Sequence, residues 1–417
     1  MIIDHIKSFQ VETSHYGLSE SSRLYLPAEL SVAIMYKMFK EKFPNAKCCF
    51  DSYRRVFVSK FNLSFGHPRK DTCSTCDEFK AKMNFLKASI VKDSSNQELK
   101  DELEGIKQQH QNHVEDAKVF YRRKTNVKNQ SRSQNSVLAV CFDFWKNLPV
   151  PNITTSDVYY KRQFSVYTFN IHVLTTNKVF LYCYDESTAK KGADDVCSLL
   201  YDFITEHVSQ DITELHLFCD GYAGQNKNWT VLRFCHYLVH YEKRFQSIKI
   251  TFPIRGHSYM ECDRDMACVK QSSPAEVLSQ LYEVFRQSRV HPSPCNVIEM
   301  QQEKFKCYGQ FLKNFYRVTC PIPTRPVREV KFERDQPRFM SYRQGWHGAY
   351  STTVVNNTQK TKKKPEAMLT ASYKAQLPIS DAKYADLQVL KRFCSPENVA
   401  FFGNLVHDSS TNDPNDE

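Results

Sequence analysis

The stretch 214–228, ELHLFCDGYAGQNKN, decides how the chain is read. Its apolar run from Leu215 to Cys219 ends abruptly at Asp220. A turn-rich GYAGQNKN follows, and an amphipathic helix is predicted from Trp229. A carboxylate at the end of a buried strand, before a loop, is where α/β proteins place chemistry. The plainer reading makes Asp220 a cap for the next helix. It loses ground because a second apolar run, SVLAVCFDF at 136–144, carries Asp143 at the same place.

Working outward, 136–144 reads as a central buried strand. A long loop, KNLPVPNITTSDVYYKRQ, leads to strands at 165–175 and 179–184, close enough to form a hairpin. The second half of DESTAKKGADDVCSLLYDFITEHV is a helix with Val196, Leu199, Leu200 and Ile204 inside. The strand ELHLFCD comes next, followed by a helix from Trp229 with Leu232, Cys235, Leu238 and Val239 inside. A fifth strand, 247–253, ends at RGHSYMECDRDMA, and a last helix is expected from Ser273–Pro274. The order β-β-β-α-β-α-β-α is that of the ribonuclease-H-like fold, an α/β mixed sheet with right-handed helical crossovers.

In that fold the first and fourth strands are parallel neighbours, so Asp143 and Asp220 should sit side by side. Like charges that close stay ionised only with cations between them, or one takes up a proton. Oxygen ligands favour Mg2+ or Mn2+. The third carboxylate is sought after the fifth strand among Glu261, Asp263 and Asp265, with Asp263 preferred. His257 in the same loop is a candidate to orient a water or phosphate or to act as a ligand; the alternative is a surface histidine. Glu186 is a fourth acidic candidate, against a solvated or capping role. Two such ions about 4 Å apart would serve in-line attack on a phosphodiester. Gln225, Asn226, Lys227 and Asn228 are suited to a nucleic-acid backbone and equally to helix capping.

Residues 71–123 predict a second metal centre. DTCSTCDEF supplies Cys73 and Cys76. A helix over 78–91 has Phe79, Met83, Leu86 and Ile90 on one face. KDSSNQ then reverses the chain, and a second helix carries Leu99, Leu103, Ile106, His110, His113, Ala117 and Phe120. Folding back near residue 94 sets position 76 opposite 112. Cys73, Cys76, His110 and His113 then make a tetrahedral site for structural zinc, preferred over a merely polar helix seam. His67 is the reserve ligand. Residues 124–135, KTNVKNQSRSQN, read as a polar linker.

Residues 1–70 read as a helical N-terminal region. One helix lies within 28–43, with Leu30, Ile34, Met38 and Phe43 inside. Another carries Tyr53, Val56, Phe57 and Phe61, the pair being a hairpin in preference to a DNA-binding helix-turn-helix. The domains expected are thus 1–70, the clasped hairpin 71–123, the main domain 136–287, an α+β region 288–405 and a disordered tail 406–417. In the fourth, VREVKFERDQPRFMSYRQGW alternates as two exposed strands. NNTQKTKKKPE is a basic linker, a solvated loop in preference to a contact with phosphates or an import receptor. Helices start at Ser380 and Ser395–Pro396.

The chain has 417 residues, a formal charge of +11 and fifteen cysteines. No apolar run spans a bilayer and MIIDHIKSFQ has no signal-peptide core, so reduced thiols and a nuclear or cytoplasmic, non-secreted protein are expected. The charge favours polyanions, DNA first, with no membrane partner and with homo-oligomers allowed.

With these residues in view, the chain resembles an arthropod family of transposon-derived domain-of-unknown-function proteins. The matching stretches are SHYGLSESSRLYL, FGHPRKDTCSTCD, FDFWKNLPVPNITTSDVYYKRQ, YDESTAKKGADDVCS, CDGYAGQNKN, GHSYMECDRD and LPISDAKYADLQVL, spread over about residues 14–390. The resemblance implies a DDE-type transposase core whose acids map onto Asp143, Asp220 and Asp263. Many DDE enzymes place a glutamate third, whereas this chain offers an aspartate. The implied function is a metal-dependent nuclease or transposase acting on DNA. The alternatives are a catalytically inactive domesticated protein that binds nucleic acid or a protein partner, and a zinc-stabilised interaction protein.

Overall fold

The computed structural model describes residues 1–9, 11–13, 24–27, 30–65, 73–269, 274–356 and 368–411. His67, Ser273 and most of NNTQKTKKKPE fall outside them. The chain divides into two compact units, Met1–Val114 with Arg255–His257, and Glu115–Ile254 with Ser258–Glu417.

The first unit begins with α1 (Ile2–Lys7), β1 (Glu12–Thr13), β2 (Leu24–Leu26), α2 (Val32–Lys42), α3 (Phe50–Lys60) and β3 (Leu63–Phe65). β2 pairs β1 antiparallel and β3 parallel. Ile6, Leu26, Met35, Phe39, Tyr53 and Phe57 form its core. The face predicted for α2 is corrected by one position: Met35 and Phe39 are inside, while Ile34 and Met38 are exposed. The run VAIMYKMF offers two apolar stripes, and the aromatic partners on α3 select one.

α4 (Ser74–Lys92) and α5 (Gln97–Ser133) follow. The expected linker at 124–135 is instead the end of α5. Its polar residues are buried by pairing rather than by apolar periodicity. Lys124 Nζ lies 2.5 Å from Glu261 Oε2, and the Ser131 hydroxyl is 2.6 Å from that of Thr175.

The second unit is built on a ten-stranded mixed sheet. Its chain order is β4 (Val137–Phe144), β5 (Leu148–Val150), α6 (Asp157–Tyr160), β6 (Phe164–Val173), β7 (Val179–Asp185), α7 (Ala193–His207), β8 (Glu214–Phe218), α8 (Trp229–His240), β9 (Ser247–Thr251), α9 (Glu261–Cys268), α10 (Leu278–Gln287), β10 (Asn296–Glu299), α11 (Tyr308–Leu312), β11 (Glu329–Glu333), β12 (Phe339–Arg343) and β13 (Ser351–Val354). The spatial order is β10-β7-β6-β4-β8-β9-β11-β12-β13, with β5 on β6. β4, β8 and β9 are parallel, and β6 and β7 antiparallel, as the hairpin reading required. The sheet does not stop at residue 287: β10 joins one edge, and β11 to β13 join the other. The two strands expected to be exposed are therefore largely buried within it. The last helix starts at Leu278, after Pro274 rather than at it.

Both sheet faces are covered, which is why the central strands are continuously apolar. Phe180, Tyr182 and Phe169 face the side carrying α7 and α8; Val179, Leu181 and Val166 face α10 and the C-terminal helices. Those helices are α12 (Asp381–Leu390) and α13 (Pro396–Gly403), begun by Ser380 and Ser395 as expected. Flanking them, β14 (Ile379–Ser380) pairs with β15 (His407–Asp408), so the predicted disordered tail is ordered at its start.

Candidate functional site

The register of β4 on β8 pairs Cys141 with Phe218, the last partners on that edge. Asp143 and Asp220 each lie two residues further on. Asp143 is still within β4 and Asp220 lies just past the end of β8, and a shared partner places their carboxylates together. One side-chain amide spans them: Asn226 Nδ2 donates to Asp220 Oδ1 at 2.7 Å and to Asp143 Oδ1 at 3.3 Å. The Phe144 amide also donates to Asp143 Oδ1, at 2.8 Å, and the Tyr222 amide to Asp220 Oδ1, at 3.1 Å.

Burial, then the charges of Asp220 and Asp263, push the Asp143 carboxyl well above its ordinary 3.8, while the Phe144 and Asn226 amides oppose them. Asp263 is therefore the third acid close to the pair. It sits in the first turn of α9, exposed, with its Oδ2 accepting from the Met260 amide at 2.7 Å. Its rivals are engaged elsewhere. Burial would raise Glu261, but the adjoining Lys124 ammonium overrides it and holds the carboxyl at about 2. Asp265 accepts from Asn170 at 3.0 Å and lies 2.8 Å from His172 Nδ1.

The other acidic candidate is corrected. Glu186 lies in an ion pair with the buried Lys383, whose Nζ reaches both carboxylate oxygens at 3.0 and 2.9 Å, and it accepts from the Ser165 amide at 2.7 Å. That is a structural role.

Of the loop residues expected to touch nucleic acid, Asn226 and Lys227 are buried, and Gln225 and Asn228 are half-buried. Asn228 caps α8, accepting from Val231 N at 3.1 Å. Lys227 is 5% exposed, donates to the Arg325 carbonyl at 2.9 Å, and is brought down to about 8 by burial and by Arg328. Asn226 is fully buried. Its Oδ1 has no hydrogen-bond partner among the described residues, an arrangement that costs about 1–3 kcal/mol. Gln225 is half-buried beside them. Two other groups beside the pair, one exposed and one half-buried, are ones that sequence patterns did not point to. Tyr222, 59% exposed, lies against Gly224. Lys191 lies over the Phe144 and Tyr167 rings, at 5.6 and 5.1 Å, with Asp143 raising its pKa against the lowering by burial. A lysine next to a strand-ending acid was legible in TAKKG only once that strand's neighbours were known.

The first unit carries the second centre. Cys73, Cys76, His113 and His257 bring one donor atom each within 4.8 Å of one another, and no other such group of three or more occurs among the described residues. Cys73 Sγ is 3.3 Å from His113 Nε2, Cys76 Sγ is 3.5 Å from His257 Nε2, and the two Nε2 atoms are 3.1 Å apart. Two thiols and two imidazoles converging this closely fit a tetrahedral zinc ion. Without a cation, burial and Cys73 push the Cys76 thiol up to about 12, so the ion would be what makes it a thiolate.

Two expectations are corrected here. His110 is not in the quartet; its ring packs against Phe79 at 5.7 Å. His257 supplies the fourth donor, so its imidazole serves the cysteines rather than the aspartates. Its place 144 residues beyond His113 hid it from any spacing rule. Gly256 explains part of the GHS motif. Its φ is +79°, and a Cβ there would lie 2.6 Å from Cys73 Cα. Gly256→Ala is accordingly expected to displace the Cys73 backbone and lower bound zinc below one equivalent, measured by atomic emission on purified protein.

Comparison with known proteins gives two findings. A family described as "Domain of unknown function (DUF7869)" matches residues 166–337, a span that holds Asp220 and Asp263 and begins after Asp143. Among solved structures, the crystal structure of the Mos1 strand transfer complex is similar over 46% of this chain and 66% of that one, at 12% identity and a TM-score of 0.15. The chain thus spans just under two thirds of that chain's length. No curated protein matches. No described helix is long and apolar enough to cross a membrane.

Proposed function

We propose that the second unit is a ribonuclease-H-like, DDE-type core of transposon descent that cleaves or transfers phosphodiester strands of DNA. Asp143 and Asp220 would hold Mg2+ or Mn2+ with Asp263 nearby. The observation that carries this reading is the meeting, at one shared amide, of two carboxylates carried at the ends of neighbouring parallel strands. The strand order β7-β6-β4-β8-β9 supports it, since it runs 3-2-1-4-5 in chain order, as does the like-charge cluster that raises Asp143. Bound ions would supply Lewis acidity to an attacking oxygen and a leaving oxygen.

The chain's own groups have separate tasks. Asp143 and Asp220 fix the ions, Lys191 offers a cation to a phosphate, and Tyr222 offers a ring on which a base can stack. Zinc at Cys73, Cys76, His113 and His257 would be structural, because four protein donors leave no open position. The net charge of +11 suits a polyanion and a nuclear site.

The test is nicking of supercoiled plasmid by purified protein with Mg2+ or Mn2+. Wild type nicks; Asp143→Asn and Asp220→Asn do not. Wild type indistinguishable from both variants under both metals overturns the catalytic reading. It would then favour the second one, a catalytically silent descendant that binds nucleic acid. That alternative draws on the spacing of the three aspartates, which do not meet as closely as the cysteine–histidine quartet.

A further inference from the structure

We infer that Asn226 is the third oxygen ligand of the carboxylate site, an inference that rests on that site binding a divalent cation. Its amide reaches both carboxylates, at 2.7 and 3.3 Å, and so lies where a shared cation would be attracted. Its Oδ1 is buried and has no partner among the described residues. The two ends of a side-chain amide have nearly the same size and shape, so a half-turn about χ2 exchanges them without needing space. In one orientation the NH2 group screens two acids that repel each other. In the other, the carbonyl oxygen faces the same place, and amide oxygens are ordinary ligands for Mg2+ and Mn2+.

The backbone around Asn226 is anchored on both sides, so the exchange is confined to the side chain. The amides of Asn226 and Lys227 donate to the Tyr222 carbonyl at 2.9 and 3.0 Å. Lys227 is tied to Arg325, and Asn228 caps α8. Asp143, Asp220 and Asp263 do not bring one oxygen each within 4.8 Å of one another, and the Oδ2 of Asp263, the alternative third ligand, already accepts from Met260. Asn226 is thus a switchable ligand: a donor to the carboxylates without an ion, a donor of electron density to the ion when one is bound.

The experiment is Mn2+ titration of the zinc-saturated full chain, followed by electron paramagnetic resonance. Wild type, Asn226→Leu, Asn226→Ser and Asp143→Asn are compared, with folding checked by circular dichroism. If Asn226 is a ligand, Asn226→Ser and Asn226→Leu weaken Mn2+ binding at least about tenfold, and Asp143→Asn removes it. If the amide is only a hydrogen-bond donor, deleting it removes a competitor for the carboxylates. Mn2+ then binds as well or more tightly in the Asn226 variants, while Asp143→Asn still loses it; that result overturns the inference alone. Mn2+ binding unchanged in Asp143→Asn overturns the carboxylate site and the inference with it. Should both Asn226 variants fail to fold, wild type selectively 15N-labelled at asparagine decides. Mg2+ should shift a side-chain amide pair in wild type that it leaves unmoved in Asp143→Asn; no such shift overturns the inference.

Discussion

Stripping zinc from the protein is expected to unfold the hairpin 73–114 while the sheet unit keeps its fold. The reason lies in what that hairpin buries. α4 has 19 residues, of which only Cys76 and Leu86 are buried, and the buried residues of α5 all lie at Ala117 or beyond. In proteins most helical stability comes from tertiary packing of a buried face, and two buried side chains do not offset the ordering cost. A structural zinc site contributes on the order of 10–16 kcal/mol of apparent binding energy, which is large enough to decide the outcome. The measurement is far-ultraviolet circular dichroism with limited proteolysis before and after chelation. Helical signal should fall and cleavage should appear within 73–114, with Cys76→Ser giving the same pattern. A zinc-free protein with unchanged helicity and protease resistance would exclude the clasp.

The second large effect concerns Asp143. In buffer freed of divalent cations, but without chelator so that zinc stays bound, Asp143→Asn should be more stable than wild type near pH 8. Burial and two neighbouring charges raise the folded carboxyl well above its ordinary value. A carboxyl raised in the folded state binds its proton more tightly there than when unfolded. Its contribution is fully present below the unfolded value, near 4, and is lost as pH rises through the folded one. Asparagine keeps an acceptor for the Phe144 amide and carries no charge, so it escapes that loss. The gain is on the order of 1–3 kcal/mol, a few degrees in melting temperature. Adding Mn2+ should reverse the ranking, since an ion at 100 times its dissociation constant stabilises wild type by about 2.7 kcal/mol. A wild-type melting temperature flat from pH 5 to 8, and equal to that of the variant, would show that the acids do not repel.

Asp143 and Asp220 could be singled out from sequence because both follow apolar runs that periodicity detects; Asp263, in the first turn of α9, had no such signal beyond its place after the fifth strand. The order of the first strands along the chain followed from run lengths and turns. The CxxC knuckle was legible for a similar reason, as its donors are local. Three parts were not. His257 joins Cys73, Cys76 and His113 across a long gap in the chain, and helical spacing proposed His110 instead. The end of α5 looked like a linker because Lys124 and Ser131 are buried by Glu261 and Thr175, not by an apolar stripe. Asn226 looked like a surface contact because GQNKN is polar throughout.

Local pattern alone determined most strands and helices of 136–253 and placed Asp143 and Asp220 at the ends of apolar runs, because periodicity and turn chemistry act within about ten residues. Only the tertiary structure decided which donors share a site and which polar groups are buried. Those outcomes depend on strand register and on neighbours brought from distant parts of the chain, and no residue carries that information by itself.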